Sequence, residues 1–121
     1  MLKVLVVDDS PTEAKFVQTI LEAQGYEVIL AASGDKGIKM AKEEKPDVIL
    51  MDVVMPNMSG FQATRKLTKD PETGRIPVIM LTTKSQVSDK AWAKRNGAAD
   101  YLVKPPTKDE LIQTINAVLS A

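Results

Sequence analysis

The chain has 121 residues, sixteen basic and sixteen acidic, so its formal net charge is zero, and it contains neither cysteine nor histidine. That length fits one compact domain over residues 1–121 with a full core. The charge balance supplies no field favouring nucleic acid or an anionic membrane, the longest apolar runs are strand-sized, and no secretory leader is expected. Without thiols or imidazoles, any chemistry must run on carboxylates, hydroxyls, lysines and backbone, and a cytoplasmic home with no nucleic-acid or membrane partner is expected.

The first strand is expected over Leu2 to Val7, an apolar run broken only by Lys3 and stopped by Asp8-Asp9. Ser10-Pro11-Thr12-Glu13 then reads as a capping box with proline at the first helical position, and Ala14, Val17, Ile20 and Leu21 continue at helical spacing until Gly25. Glu27 to Ala31 is a second, more polar strand, nearer an edge, and Gly34 to Glu44 a helix with Ile38 and Ala41 inward, stopped by Lys45-Pro46. Val48 to Met51 is a third strand, apolar throughout as in a sheet covered on both faces, and it is tipped by Asp52. A loop rich in Pro, Asn, Ser and Gly leads to a helix carrying Phe61, Ala63 or Thr64, and Leu67, followed by a turn-rich surface connector from Asp70 to Arg75. Pro77 delays the fourth strand to Val78–Leu81, which ends at Thr82-Thr83, and a helix from about Gln86 to Asn96 is capped by Gly97. Tyr101 to Val103 is a short fifth strand ending at Lys104-Pro105-Pro106. A second capping box, Thr107 to Glu110, opens a last helix with the stripe Leu111, Ile112, Ile115, Val118 and Leu119.

Five alternating strand–helix units imply an α/β fold, a single doubly wound five-stranded parallel sheet. Right-handed crossovers leave few orders, each with a crevice where the winding reverses. In the order 2-1-3-4-5 that crevice lies between strands one and three, the strands tipped by Asp8-Asp9 and Asp52, with Thr82 and Lys104 brought to the same edge. Taken singly, Asp9 could be a cap, Thr82 an ordinary strand residue and Lys104 a solvated lysine. Their convergence on one edge is what marks a site.

Two carboxylates about 4 to 5 Å apart at an effective dielectric near 20 repel by roughly 3 to 4 kcal/mol. A trio therefore raises its pKa values, splays, or holds a cation. A hard divalent ion, magnesium with manganese as a substitute, suits carboxylates, one backbone carbonyl and retained waters. Such an ion and a fixed lysine beside an exposed carboxylate describe a phosphoryl-transfer site, with Asp52 as nucleophile and an aspartyl phosphate as product.

Asp8-Asp9, the run Asp52-Val53-Val54-Met55-Pro56 with Gly60 after it, Thr82, and Lys104-Pro105 together resemble the receiver domain of bacterial two-component response regulators, the CheY-like family with its flavodoxin-like fold. The resemblance spans the whole chain. It implies that Asp52 accepts a phosphoryl group from a sensor histidine kinase. It further implies that Asp9, Asp52 and the Val54 backbone carbonyl bind magnesium, with Asp8 acting directly or through water. Lys104 is implied to contact the phosphoryl group, Thr82 to close onto it, Tyr101 to turn inward in response, and the Lys104–Pro105 bond to be cis. The residues two positions beyond the acceptor and the threonine, Val54 and Lys84, are implied to control the water that hydrolyses the phosphate. Gly60 to Asp70, with Thr82-Thr83-Lys84 and Lys90-Ala91-Trp92, resembles the PilH-type regulators of chemotaxis-like systems that govern type IV pilus twitching motility.

The receiver pattern occupies the chain, so a stand-alone, monomeric regulator is expected, with chemistry confined to its own phosphorylation and dephosphorylation. Output is then expected as contact with a downstream protein through the family's usual surface, the fourth helix, fifth strand and fifth helix. That surface carries Lys90, Lys94, Arg95, Tyr101 and Lys108, with Trp92 either there or in the core. Two other classes stand beside this reading: a magnesium-dependent phosphatase that forms an aspartyl phosphate, and a constitutive interaction module. A flavin domain of the same fold is disfavoured, because Asp8-Asp9 would repel its phosphate.

Overall fold

The expected strands and helices appear in order in a computed structural model, which describes residues 2–83 and 87–120 and their side chains except at 87–90. They are β1 (Lys3–Val7), α1 (Pro11–Ala23), β2 (Glu27–Ala31), α2 (Gly34–Glu44), β3 (Val48–Asp52), α3 (Gly60–Lys69), β4 (Val78–Thr82), α4 (Val87–Arg95), β5 (Asp100–Val103) and α5 (Lys108–Ser120). Every pairing is parallel and the order is β2-β1-β3-β4-β5, the doubly wound arrangement that opens a crevice between β1 and β3. Strand ends differ slightly from expectation, since pairing carries β3 through Asp52 and β4 through Thr82, while β5 starts at Asp100. Gln86, the expected start of the fourth helix, lies outside the described residues.

The core follows from the alternation of side chains along each strand. Val4, Val6, Val48, Leu50, Ile79 and Leu81 pack with Val17 and Leu21 of α1 and Leu111 and Ile115 of α5. The intervening residues Leu5, Val7, Ile49, Met51, Val78 and Met80 pack with Ala41 of α2, Ala63 and Leu67 of α3, and Ala93 of α4. The central strands are therefore apolar on both faces, as a sheet between two helix layers requires. Among the described residues, no helix is long and apolar enough to cross a membrane.

The caps depart from expectation in two places. Ser10 does cap α1, its hydroxyl accepting from the Glu13 N–H at 3.3 Å, but the Ser10 N–H donates to Asp8 Oδ1 at 2.9 Å instead of to Glu13, so the box is half formed. A complete box instead opens α3, with Ser59 and Gln62 bonded reciprocally, and the expected one opens α5 between Thr107 and Glu110. Gly25 closes α1 at φ 88°, with its N–H on the Glu22 carbonyl and the Tyr26 N–H on that of Leu21. The connector after α3 is less superficial than its composition implies. Thr73 is buried, and its hydroxyl donates to the Leu67 carbonyl at 2.6 Å, which satisfies one orphan carbonyl of the α3 C-terminus.

Candidate functional site

Four strands bring the expected residues to the carboxyl edge of the sheet. Asp8 and Asp9 follow β1, Asp52 ends β3, Thr82 ends β4 and Lys104 follows β5. Alternation sorts them by face. Asp8 continues the set Val4, Val6, and Asp52 the set Val48, Leu50, both towards α1 and α5; Lys104 continues from Leu102, which packs on the same side. Thr82 continues Val78 and Met80, and Tyr101 packs on that second side, beneath α4.

The first three meet. Lys104 Nζ lies 2.8 Å from Asp52 Oδ1 and 3.1 Å from Asp8 Oδ2, and 3.3 Å from Glu13 Oε1 at the start of α1. The Lys104, Asp8 and Asp52 side chains are nearly buried, at 8%, 1% and 7% exposure, whereas Glu13 is half exposed at 49%. Carboxylate oxygens of Asp8, Asp9 and Asp52 fall within 4.8 Å of one another, with Asp9 on the solvent side. That set of hard oxygen donors, opening to water on one side, fits a small divalent cation.

The backbone fixes this arrangement. The Lys104 N–H donates to the Thr82 carbonyl at 2.6 Å, tying the segment after β5 to the end of β4. The Lys104–Pro105 bond is cis, as the resemblance implies. On the other side of Asp52, the Val53 N–H reaches the Leu81 carbonyl at 3.1 Å, and the Gly60 N–H reaches the Val53 carbonyl at 2.8 Å, folding the loop back onto the strand end. A Cβ at position 60 would collide with the Asp52 carbonyl oxygen, so glycine is required for that close approach.

Burial pushes the Asp52 acid up to about 6, against the pull of the Lys104 hydrogen bond and charge, with the charges of Asp8 and Glu13 adding to the rise. For Lys104, burial acts to lower the pKa, but the hydrogen bonds and charges of Asp52 and Asp8 outweigh it and the net shift is upward. At neutral pH the nucleophile candidate is therefore an anion and its neighbour a cation. The Lys104 ammonium offsets part of the repulsion expected within the acidic cluster.

The other candidates are placed as follows. Val54 stands in the loop after Asp52 and is 72% exposed. Tyr101 is half-buried against the core beneath α4. Trp92 is on the surface, 52% exposed, its ring centroid 6.3 Å from that of Phe61 and 5.7 Å from the Arg95 guanidinium, so of its two expected places the solvent-facing one is occupied. Lys94, Arg95 and Lys108 are exposed; the Lys90 side chain and Lys84 lie outside the described residues. Glu13 is the residue that sequence reasoning missed as a member of the site. The sequence pattern places it in a capping box, whose Ser10 N–H the Asp8 carboxylate takes instead.

Residues 4–116 match the response regulator receiver domain model, and the chain belongs to that family. It is 56% identical over 120 residues to the PilH protein of Pseudomonas aeruginosa, covering 99% of each chain. It is 38% identical over 119 residues to the transcriptional regulator RpaA of a Synechocystis strain, covering 98% of this chain and 49% of that longer one. Among solved structures, the chemotaxis protein CheY4 of Vibrio cholerae superposes with a TM-score of 0.92 at 37% identity, over 98% of both chains. The receiver domain of a Pseudomonas aeruginosa sensor histidine kinase, solved with a magnesium ion coordinated in its active-site cleft, superposes with a TM-score of 0.91 at 30% identity, over 99% of this chain and 98% of that one.

Proposed function

We propose that Asp52 accepts a phosphoryl group from a histidine of a sensor kinase. An Asp52 carboxylate oxygen forms the new O–P bond as the histidine N–P bond breaks, leaving a neutral imidazole and an acyl phosphate. The observation that carries this reading is the Lys104 ammonium held against Asp52 and Asp8 at the carboxyl edge of the sheet. A fixed cation beside the nucleophile keeps it ionised despite burial, and stands where the charge of the transferred group develops. Asp8, Asp9, Asp52 and the Val54 backbone carbonyl would hold magnesium, or manganese in its place, and the bound ion would supply neutralisation of phosphoryl oxygens. Thr82 would close on the phosphate from the neighbouring strand.

In this reading the chain works as a single receiver domain, monomeric and cytoplasmic. Its phosphorylated form binds a downstream protein through the surface of α4, β5 and α5, with Lys90, Lys94, Tyr101 and Trp92 contributing. The near full-length likeness to PilH supports a place in a chemotaxis-like system governing type IV pilus twitching motility. The deciding experiment is mass spectrometry after acetyl phosphate or beryllofluoride treatment, with and without magnesium. A single adduct that requires magnesium and is absent from Asp52→Asn is the expected result; labelling retained in that variant would overturn the assignment.

A further inference from the structure

Glu13 has no place in the pattern that identifies the family, yet its carboxylate is one of three that hold Lys104. Two independent features free it for that. The Ser10 N–H, to which a third-position glutamate ordinarily turns back, is taken by Asp8 Oδ1. The glutamate also lines a cavity of about 210 Å³ between α1 and the segment after β5, with Phe16, Lys104 and Pro105 among its walls, so the side chain lies alongside the ammonium with room for both to move.

Resting on the metal reading above, we infer that Glu13 is a positioning residue for magnesium entry. It offers the Lys104 ammonium a carboxylate partner outside the Asp8–Asp9–Asp52 cluster. In the structure Lys104 spans Asp8 and Asp52, two of the carboxylates a cation would use. A divalent ion arriving there competes with the ammonium for the same oxygens. An ammonium with no other anion in reach holds those oxygens more firmly; one already 3.3 Å from Glu13 shifts its weight towards α1 and keeps a countercharge. Because Glu13 is half exposed, the effect is that of a partly solvated ion pair, modest in size.

The test is magnesium binding by isothermal titration calorimetry in a double-mutant cycle of Glu13→Gln and Lys104→Met. In the presence of Lys104, Glu13→Gln is expected to weaken magnesium about two- to fivefold, which at 1.4 kcal/mol per tenfold is about 0.4 to 1 kcal/mol. In the Lys104→Met background the same substitution should weaken it by a smaller factor, because a fixed charge acts on the ion alike in both backgrounds while a positioning effect needs the lysine. Equal losses in the two backgrounds, or no loss with Lys104 present, would overturn the role of Glu13 and leave the metal site standing. Absence of magnesium binding in the unsubstituted protein would overturn the metal reading and this inference with it. Unchanged thermal melting of metal-free Glu13→Gln is the control that separates positioning from folding.

Discussion

At the scale of single residues, Asp52 combines two properties that pull against each other, burial at a strand end and a negative charge at neutral pH. Its acid is held at about 6 by burial, above the roughly 3.9 of an unfolded aspartate, so between about pH 4 and 6 the folded chain keeps a proton that the unfolded chain has released. A carboxyl raised in this way costs stability as pH rises through the window. The stability of the metal-free protein relative to Asp52→Asn should therefore fall between about pH 4 and 6, by up to about 1.4 kcal/mol per unit, and level off above that. Denaturant melts of both proteins in chelator at successive pH values check this; a stability of the parent relative to Asp52→Asn that rises with pH, or stays constant, would remove the burial penalty from the account. Val54 presents an exposed side chain with no hydrogen-bonding group, so it gives an attacking water no handle. Val54→Asn should speed loss of phosphate from labelled protein by about two- to tenfold, the worth of one hydrogen bond, measured as decay of the adduct in magnesium buffer. The positions of Asp8, Asp52 and Lys104 are legible in the sequence because each follows an apolar strand with fixed alternation. The Glu13 contact is not, because it depends on which of two acceptors wins the Ser10 N–H, a choice decided by loop geometry.

Whole elements were legible where hydrophobic period and end signals agree, and less so where a residue type has two uses. The α3 start shows the second case. Ser59-Gly60 reads as loop by composition, yet Ser59 and Gln62 close a full capping box, and Gly60 is helical because its missing side chain lets the turn lie on the Asp52 carbonyl. Two substitutions separate these contributions. Ser59→Ala should cost about 1 kcal/mol of stability through loss of the cap, a fall in Tm of a few degrees, with phosphorylation retained. Gly60→Ala forces the loop off the end of β3 and should cost about 1 to 3 kcal/mol, with slower phosphorylation of whatever remains folded, because the clash falls on the backbone of the proposed acceptor itself. Equal phosphorylation rates in folded Gly60→Ala and the unsubstituted protein would mean that the loop does not position Asp52. Thr73 escaped the sequence reading for a related reason. A threonine among Asp, Pro, Glu and Gly signals a surface turn, and only the fold shows that its hydroxyl completes the end of α3.

Across the whole molecule, the two faces of the sheet divide the work. Asp8, Asp52 and Lys104 gather on the side of α1 and α5, while Thr82 and Tyr101 sit on the other, under α4, two positions apart in register because Thr82 pairs with Val103 and Met80 with Tyr101. A phosphoryl group on Asp52 adds close to two negative charges at the edge where both faces end. Thr82 is the hydroxyl that ends β4 on the α4 side, and its carbonyl already holds the Lys104 N–H, so a shift of this strand end reaches the segment after β5 as well. In the proposed switch, movement of Thr82 towards the phosphate would change the space beside Tyr101, and Tyr101 borders the outer surface that carries Lys94. Turning a conformational equilibrium from 1:99 to 99:1 takes about 5.5 kcal/mol, and charge-assisted hydrogen bonds worth about 1.5 to 3 kcal/mol each can supply much of it. Thr82→Ala should accordingly leave Asp52 open to phosphorylation while reducing the phosphorylation-dependent gain in affinity for a partner by about tenfold or more. Tyr101→Trp, read in a protein whose Trp92 is replaced by Phe, should report activation as a fluorescence change that requires both magnesium and phosphodonor. If phosphorylated Thr82→Ala binds a partner as tightly as the phosphorylated parent, the signal crosses the sheet by another route, and the direct backbone link from Thr82 to Lys104 becomes the next candidate.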